Sequence, residues 1–371
     1  MCRWFSYISA SEPCLLEDVL ITPAHSISKQ VHAHYLPLLI SHDPKVHAEP
    51  TSQSEISHRN RVFCEDGIGM AWYTPTLSQF CTSSPREHPK PSLHPARYKT
   101  TQQPAHDANF HSICANTASN VVFAHIRDAT GTAITHVNNH PFIFGIHCIM
   151  HNGYISSFEK VKKKLCDTLN DEAYAHIQGS TDSEHFAALL MTYLCPLSQQ
   201  EAAHPHSSEA CASQNPGVPT GWETFHGVAE MQVALQKTIN TIINLQRTIL
   251  GDQAEPNDFN IALTDGRNMV ACRFRNHPTE QPPSLYCSTH AGVTLNRKFP
   301  DHPDGPKGDL GKGNKTEGHN PNAFRKSEDH GQHVIVASEP TTYKGSDWTL
   351  IEKNHLVLVE GTGDVVIKKM M

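Results

Sequence analysis

Cys2-Arg3-Trp4-Phe5-Ser6-Tyr7-Ile8 stands directly behind Met1, and its reading decides the fold. The stretch is a short apolar strand, rich in aromatic residues that suit a pleated surface. A strand of this kind pins the residue before it inside the fold. Cys2 is small enough for Met1 to be removed in front of it. It would then hold a thiol and a free α-amine on one residue. An α-amine titrates at about 7.7–8.0, so much of it is a base close to neutral pH. It can take the thiol proton directly or through a water, with no separate histidine. Alone, a second-position cysteine is an ordinary residue, so the rest of the chain must supply the other parts of a site.

Outward from that strand, the next reads at 68–73, entered through Asp66-Gly67. The stretch 82–106 reads as a loop, because Pro85, Pro89, Pro91, Pro95 and Pro104 would break any regular element. Strands follow at 120–127 and about 141–150, the second stopping at His151-Asn152-Gly153. A helix opens at Thr181-Asp182-Ser183-Glu184, the capping-box pattern. Its apolar residues Phe186, Leu189, Leu190, Tyr193 and Leu194 keep helical spacing. A second helix over 225–250 carries a stripe that includes Met231, Leu235, Ile239 and Ile242, and Gly251 is placed to cap it.

Beyond that helix the period switches to two. Strands are expected at 260–264 and 268–274 around Asp265-Gly266, a hairpin signal. More follow at 284–288, 333–337, 348–351, 355–360 and 364–368. Hairpin-like turns between strands, with helices in the middle of the chain, imply an α+β fold of largely antiparallel sheets with helices packed outside. One domain over 2–371 is expected, with flexible inserts at 82–106, 198–220 and 300–332. The last of these is almost without apolar side chains.

Composition excludes several classes. The 371 residues carry a formal charge of −7, which gives no broad reason to bind nucleic acid or an anionic membrane. No apolar run reaches the roughly 18–20 residues that span a bilayer, and the start lacks the basic and apolar regions of a signal peptide. The 11 cysteines are irregularly spaced with no CxxC pair, which argues against a disulfide framework or a zinc ribbon. A cytoplasmic chain with reduced thiols is expected. Histidine is frequent, at 27 copies, but no HExxH or similar helical pair occurs, so no metal and no cofactor are expected.

Three further stretches carry chemistry. Arg127 ends the 120–127 strand and is followed by Thr130; a planar guanidinium clamps a carboxylate with two hydrogen bonds. His151-Asn152-Gly153 offers a side-chain amide and a glycine N–H to a developing oxyanion. Asp182 could hold a substrate ammonium group. Each has a plain structural alternative: a strand-end arginine paired with Asp128, an Asn-Gly turn, and a first-turn acid favoured by the helix dipole. Together with Cys2 they ask for a thiol, a carboxylate clamp, an oxyanion hole and an ammonium receptor. That set suits a γ-glutamyl group.

At this point the chain resembles the class II glutamine amidotransferases, N-terminal nucleophile hydrolases with a four-layer αββα sandwich. The matching stretches are Met1-Cys2-Arg3, Asp66-Gly67-Ile68-Gly69, Phe123-Ala124-His125-Ile126-Arg127, Asn139-His140-Pro141-Phe142, Met150-His151-Asn152-Gly153, Ser180-Thr181-Asp182-Ser183 and Ala337-Ser338-Glu339-Pro340. The resemblance implies that Cys2 is the nucleophile and that Asn152 and Gly153 form the oxyanion hole. Arg127 and Thr130 would hold the substrate α-carboxylate and Asp182 its α-amine, with His151 beside them on the substrate.

The opening residues look similar to a fungal type, a subunit of a cytosolic glutathione-degrading complex with a peptidase-like protein partner. Hydrolysis of the γ-glutamyl bond of glutathione is the implied activity. A glutaminase supplying ammonia to a partner, or a non-catalytic scaffold subunit, are the alternatives. The absence of a following synthetase or isomerase domain favours plain hydrolysis. Two departures from the family pattern stand out. Asp128 follows the clamp arginine, where its carboxylate could compete for Arg127, and Trp348–Asn354 is less regular.

Overall fold

The computed structural model describes residues 2–31, 64–80, 93–196, 220–300, 302, 320, 323–342 and 345–370. Its strands are β1 Arg3–Ser9, β2 Cys14–Leu15, β3 Ile68–Thr74, β4 His94–Thr100, β5 Ala118–Ser119, β6 Val121–Ile126, β7 Phe142–Phe144, β8 His147–Tyr154, β9 Asp258–Thr264, β10 Met269–Arg275, β11 Tyr286–Ser288, β12 His333–Ala337, β13 Thr349–Leu350, β14 His355–Val359 and β15 Val365–Lys369. The helices are α1 Leu16–Leu20, α2 Thr76–Gln79, α3 Ala108–Asn116, α4 Phe158–Cys166, α5 Asp171–His176, α6 Asp182–Leu194 and α7 Val228–Leu250.

Two large sheets form, ordered β13-β11-β12-β1-β6-β3-β4 and β15-β14-β10-β9-β8-β7, and β2 pairs with β5 apart from them. The strand pairs are antiparallel. Three apolar clusters explain the stacking. Leu16, Val19, Leu20, Phe110 and Cys114, from α1 and α3, pack on Phe5, Tyr7, Met70 and Val122 of the seven-stranded sheet. The other face of that sheet, with Trp4, Ile8 and Phe123, meets Met150, Ala262, Ala271 and Val357 of the six-stranded sheet. The far face of the second sheet, with Phe259, Ile261 and Leu263, packs on Phe186, Leu190, Leu235 and Ile239 of α6 and α7. The order of layers is helix, sheet, sheet, helix, as expected. Strand residues alternate between faces, so β1 sends Phe5 and Tyr7 to one interface and Trp4 and Ile8 to the next.

The structure corrects three expectations. The described part of the 82–106 loop contains β4, seven residues long. Pro95 sits inside it opposite Tyr73. This is tolerated because β4 is the edge strand, so the missing N–H of proline breaks no inner ladder. The single strand read at 141–150 is a hairpin of β7 and β8, turned at Gly145, whose φ is +56. An added Cβ there would lie 2.3 Å from the Trp222 carbonyl oxygen. Nor does β8 stop at His151; Asn152 and Gly153 pair with Asn260 and Phe259 inside the sheet. Helices α3, α4 and α5 were not read from the sequence. Residues 82–92, 198–219 and most of 300–332 lie outside the described residues.

Candidate active site

Cys2 lies one residue before β1, where Arg3 is paired with Ile126 of β6. Its thiol donates to the Asp128 carbonyl oxygen at 3.5 Å, and the Asp128 N–H donates to Sγ at 3.3 Å. The strand behind it is fixed from both sides. The Trp4 N–H donates to Ser338 Oγ at 3.0 Å, and Trp4 Nε1 donates across to the Asn260 carbonyl of the second sheet at 3.1 Å. Asn260 is the ladder partner of Asn152, which links the strand behind the thiol to the proposed oxyanion donor.

Burial pushes the Cys2 thiol up to about 12, with Cys64 raising it further, while the chain's terminal ammonium and Arg127 act to lower it. The field of Asp182 also reaches Cys2. The fold therefore gathers Cys2, Arg127 and Asp182 into one electrostatic neighbourhood. A thiol in this setting is protonated at rest, because a buried thiolate loses hydration. It needs a base and a cation to become a nucleophile.

Arg127 is buried, with its guanidinium donating to Ala133 O at 3.0 Å, Asn139 Oδ1 at 3.3 Å and Thr132 Oγ1 at 2.6 Å. Burial lowers its pKa, while Cys2 and Asp66 act in the other direction. Asp66 is thus an acid whose field bears on Arg127. Asp66 also accepts from the Ala129 N–H at 2.6 Å, so it braces the 128–133 loop. Thr130 is exposed on that loop. A hydroxyl on Arg127 itself comes from Thr132, a residue not singled out from the sequence although it lies on the same loop.

Asn139 ties three segments together. Its Oδ1 receives Arg127, and its Nδ2 donates to Thr100 O at 2.8 Å and Asp66 O at 3.5 Å. Gly67, at φ +110, fits only as glycine here, since an added Cβ would stand 2.0 Å from Thr100 O. Asp182 is the first residue of α6. Its Oδ2 accepts from Ile155 N–H and its Oδ1 from Ser183 N–H, both at 2.8 Å. Thr181 caps the helix by accepting from the Glu184 N–H, as the motif predicts. The Glu184 carboxylate turns instead to the N–H groups of Gln178 and Gly179.

Asn152 and Gly153 lie at the end of β8. The Asn152 side chain is buried and makes no hydrogen bond among the described residues. Gly153 has φ +149, and an added Cβ would meet the Asp258 carbonyl oxygen at 2.0 Å.

His151, expected on the substrate, serves the scaffold. Its Nε2 donates to Asp258 O at 3.1 Å, so Nδ1 is the acceptor of the Ser183 hydroxyl at 2.8 Å. The ring packs between Phe186 and Phe259 on the helix side of the sheet. Adjacent strand residues face opposite ways, so His151 and Asn152 do not share a face. His125 donates Nε2 to the His151 carbonyl at 3.2 Å, and its ring lies tilted against that of His140, centroids 4.0 Å apart.

Residues 55–213 match the family model of class-II glutamine amidotransferases. A curated relative, a probable glutamine amidotransferase named DUG3 from Saccharomyces cerevisiae, is 28% identical over 97% of this chain and 82% of its own. A solved structure of a glutamine aminotransferase class-II domain protein from Silicibacter pomeroyi superposes with TM-score 0.51 at 17% identity, over 100% of both chains. That likeness bears on the fold alone. The motifs along β6, β8 and α6 fall within the residues that match the class-II glutamine amidotransferase model.

Proposed function

We propose that the chain hydrolyses γ-glutamyl amide bonds through a thioester on Cys2, with glutathione as the preferred substrate. The observation that carries this is the thiol held at the end of β1 against Asp128, within the fields of Arg127 and Asp182. Once Met1 is removed, the Cys2 nitrogen is an amine rather than an amide. It then takes the thiol proton as the sulfur attacks the γ-carbonyl carbon.

The oxyanion is received by the Asn152 amide and the Gly153 N–H. The γ-glutamyl α-carboxylate lies on Arg127 and its ammonium group on Asp182. The bond to the amine leaving group breaks, and the α-ammonium of Cys2 returns the proton to that amine. Water then hydrolyses the thioester, releasing glutamate and restoring the thiol. A peptidase-like protein partner would consume the cysteinylglycine released from glutathione.

The experiment is glutamate release from glutathione and from glutamine, by the Met1-free chain and by Cys2→Ala, each with and without that partner. Glutathione turnover that falls at least about a thousandfold in Cys2→Ala is expected. Release from glutamine alone would replace this reading with an ammonia-supplying glutaminase. No release under any condition would leave a scaffold subunit.

A further inference from the structure

A second cluster of reactive side chains lies on the helix side of the six-stranded sheet. His147 begins β8, Cys195 follows the last residue of α6, and His226 stands just before the Gly227 cap of α7. Their ligand atoms all lie within 4.8 Å of one another. Cys195 Sγ is 3.4 Å from His226 Nε2, close to the roughly 3.3–3.8 Å that separates nitrogen and sulfur ligands around a tetrahedral zinc ion.

The surroundings are arranged around this cluster. The His226 N–H donates to Asp265 Oδ2 at 3.0 Å, and its carbonyl accepts from Asn268 Nδ2 at 2.9 Å, so the backbone is held on both sides. Its Nδ1 lies 3.5 Å from Glu230 Oε2, while Nε2 faces the sulfur. A carboxylate on the far nitrogen fixes the imidazole and raises its basicity, the usual support for a metal-bound histidine. The Glu230 carboxylate is itself held by the Gly227 N–H at 2.9 Å.

His147 is the independent observation. It is fully buried, and neither ring nitrogen has a hydrogen-bond partner. The carbonyls of Phe144 and Trp222 stand near enough to favour its charged form, but neither meets hydrogen-bond geometry. A buried, unpartnered imidazole is costly, and a metal ion would remove that cost.

We propose that Cys195, His226 and His147 bind one zinc ion, with water in the fourth position. One thiolate and two imidazoles suit zinc better than a hard cation such as Mg2+ or Ca2+. On binding, the Cys195 S–H bond breaks, its proton goes to solvent, and the thiolate sulfur donates to the metal. The ion would join the turn into β8, the end of α6 and the start of α7. It is a structural clip apart from the Cys2 chemistry.

The test uses the metal-stripped full chain titrated with Co2+, then with Zn2+. Saturable uptake of one equivalent is expected, with a thiolate-to-cobalt charge-transfer band that Zn2+ abolishes. Cys195→Ser should lose the band and Cys2→Ala should keep it. Glu230→Gln should weaken binding about tenfold. His226→Gln, checked for folding by circular dichroism, should lose the band, a result that does not depend on whether Cys195→Ser folds. Zinc should raise Tm in wild type and not in His226→Gln. Failure to bind one equivalent, a band that survives Cys195→Ser, or a band that vanishes in Cys2→Ala would each overturn the proposal.

Discussion

His147 and His151 stand on the same strand and point to the same side of it, yet the fold treats them oppositely. His151 donates one ring nitrogen to Asp258 and receives Ser183 on the other. His147 is equally buried and has neither nitrogen bonded. Desolvating an imidazole is unfavourable unless its hydrogen bonds are remade inside. At His151 the protein remakes them itself, which fixes β8 to α6 and so sets where Asn152 and Gly153 lie. At His147 it does not, and a neighbouring thiol and imidazole stand where a metal would meet all three. The comparison teaches that a buried histidine is read from its partners, since burial and strand position are alike in the two.

The largest expected effect comes from breaking the satisfied member. His151→Leu leaves the Ser183 hydroxyl and the Asp258 carbonyl without the ring, and should destabilise the fold by about 3 kcal/mol. Denaturant unfolding measures it. Glutathione turnover should fall as well, since the strand that carries Asn152 is loosened. An unchanged midpoint with unchanged turnover would show that His151 holds nothing.

Acid sharpens the comparison next. Burial lowers the pKa of His151, and that of His125 to about 3. His125 is neutral in the folded chain at about pH 5, while an unfolded histidine titrates at about 6.5 and is charged there; His151 is shifted in the same direction. The unfolded state then binds more protons, so stability falls as pH drops from about 6.5 toward 3, by about 1.4 kcal/mol per pH unit for His125. Tm measured across this range should fall steadily, and His151→Leu should flatten the slope. A slope unaltered by the substitution would place the acid sensitivity elsewhere.

The smallest effect belongs to the unsatisfied member. His147→Leu removes a buried imidazole that has no partner, so metal-free stability should stay within about 1 kcal/mol of wild type or rise. The stabilisation by zinc should vanish at the same time. A loss as large as that of His151→Leu in metal-free protein would mean that His147 is bonded after all, and the contrast would fail.

Much of the site was legible because it depends on local signals. Cys2 announces itself by standing behind Met1 and before an apolar strand, and Thr181 to Glu184 reads as a helix cap. Gly67 and Gly153 mark places where a Cβ would strike a carbonyl. Other features turn on neighbours distant in sequence. Pro95 reads as a strand breaker until β4 is known to be an edge. Thr132 meets Arg127 because of the path of one loop. The His147, Cys195 and His226 cluster is drawn from a turn, a helix end and a helix start, so no spacing reveals it. The direction of His151 follows from strand alternation, but only once β8 is known to continue through it.

The place of β1 at the centre of its sheet has a consequence in time. Trp4 bonds to Ser338, 334 residues further along the chain, and one flank of β1 is β12. A ribosome adding about 5–20 residues per second leaves β1 without that flank for tens of seconds. Pairings this distant in sequence close late and slowly. Cys2 is thus among the first residues made and among the last to be enclosed, so the nascent chain holds an unassembled thiol until translation has passed β12.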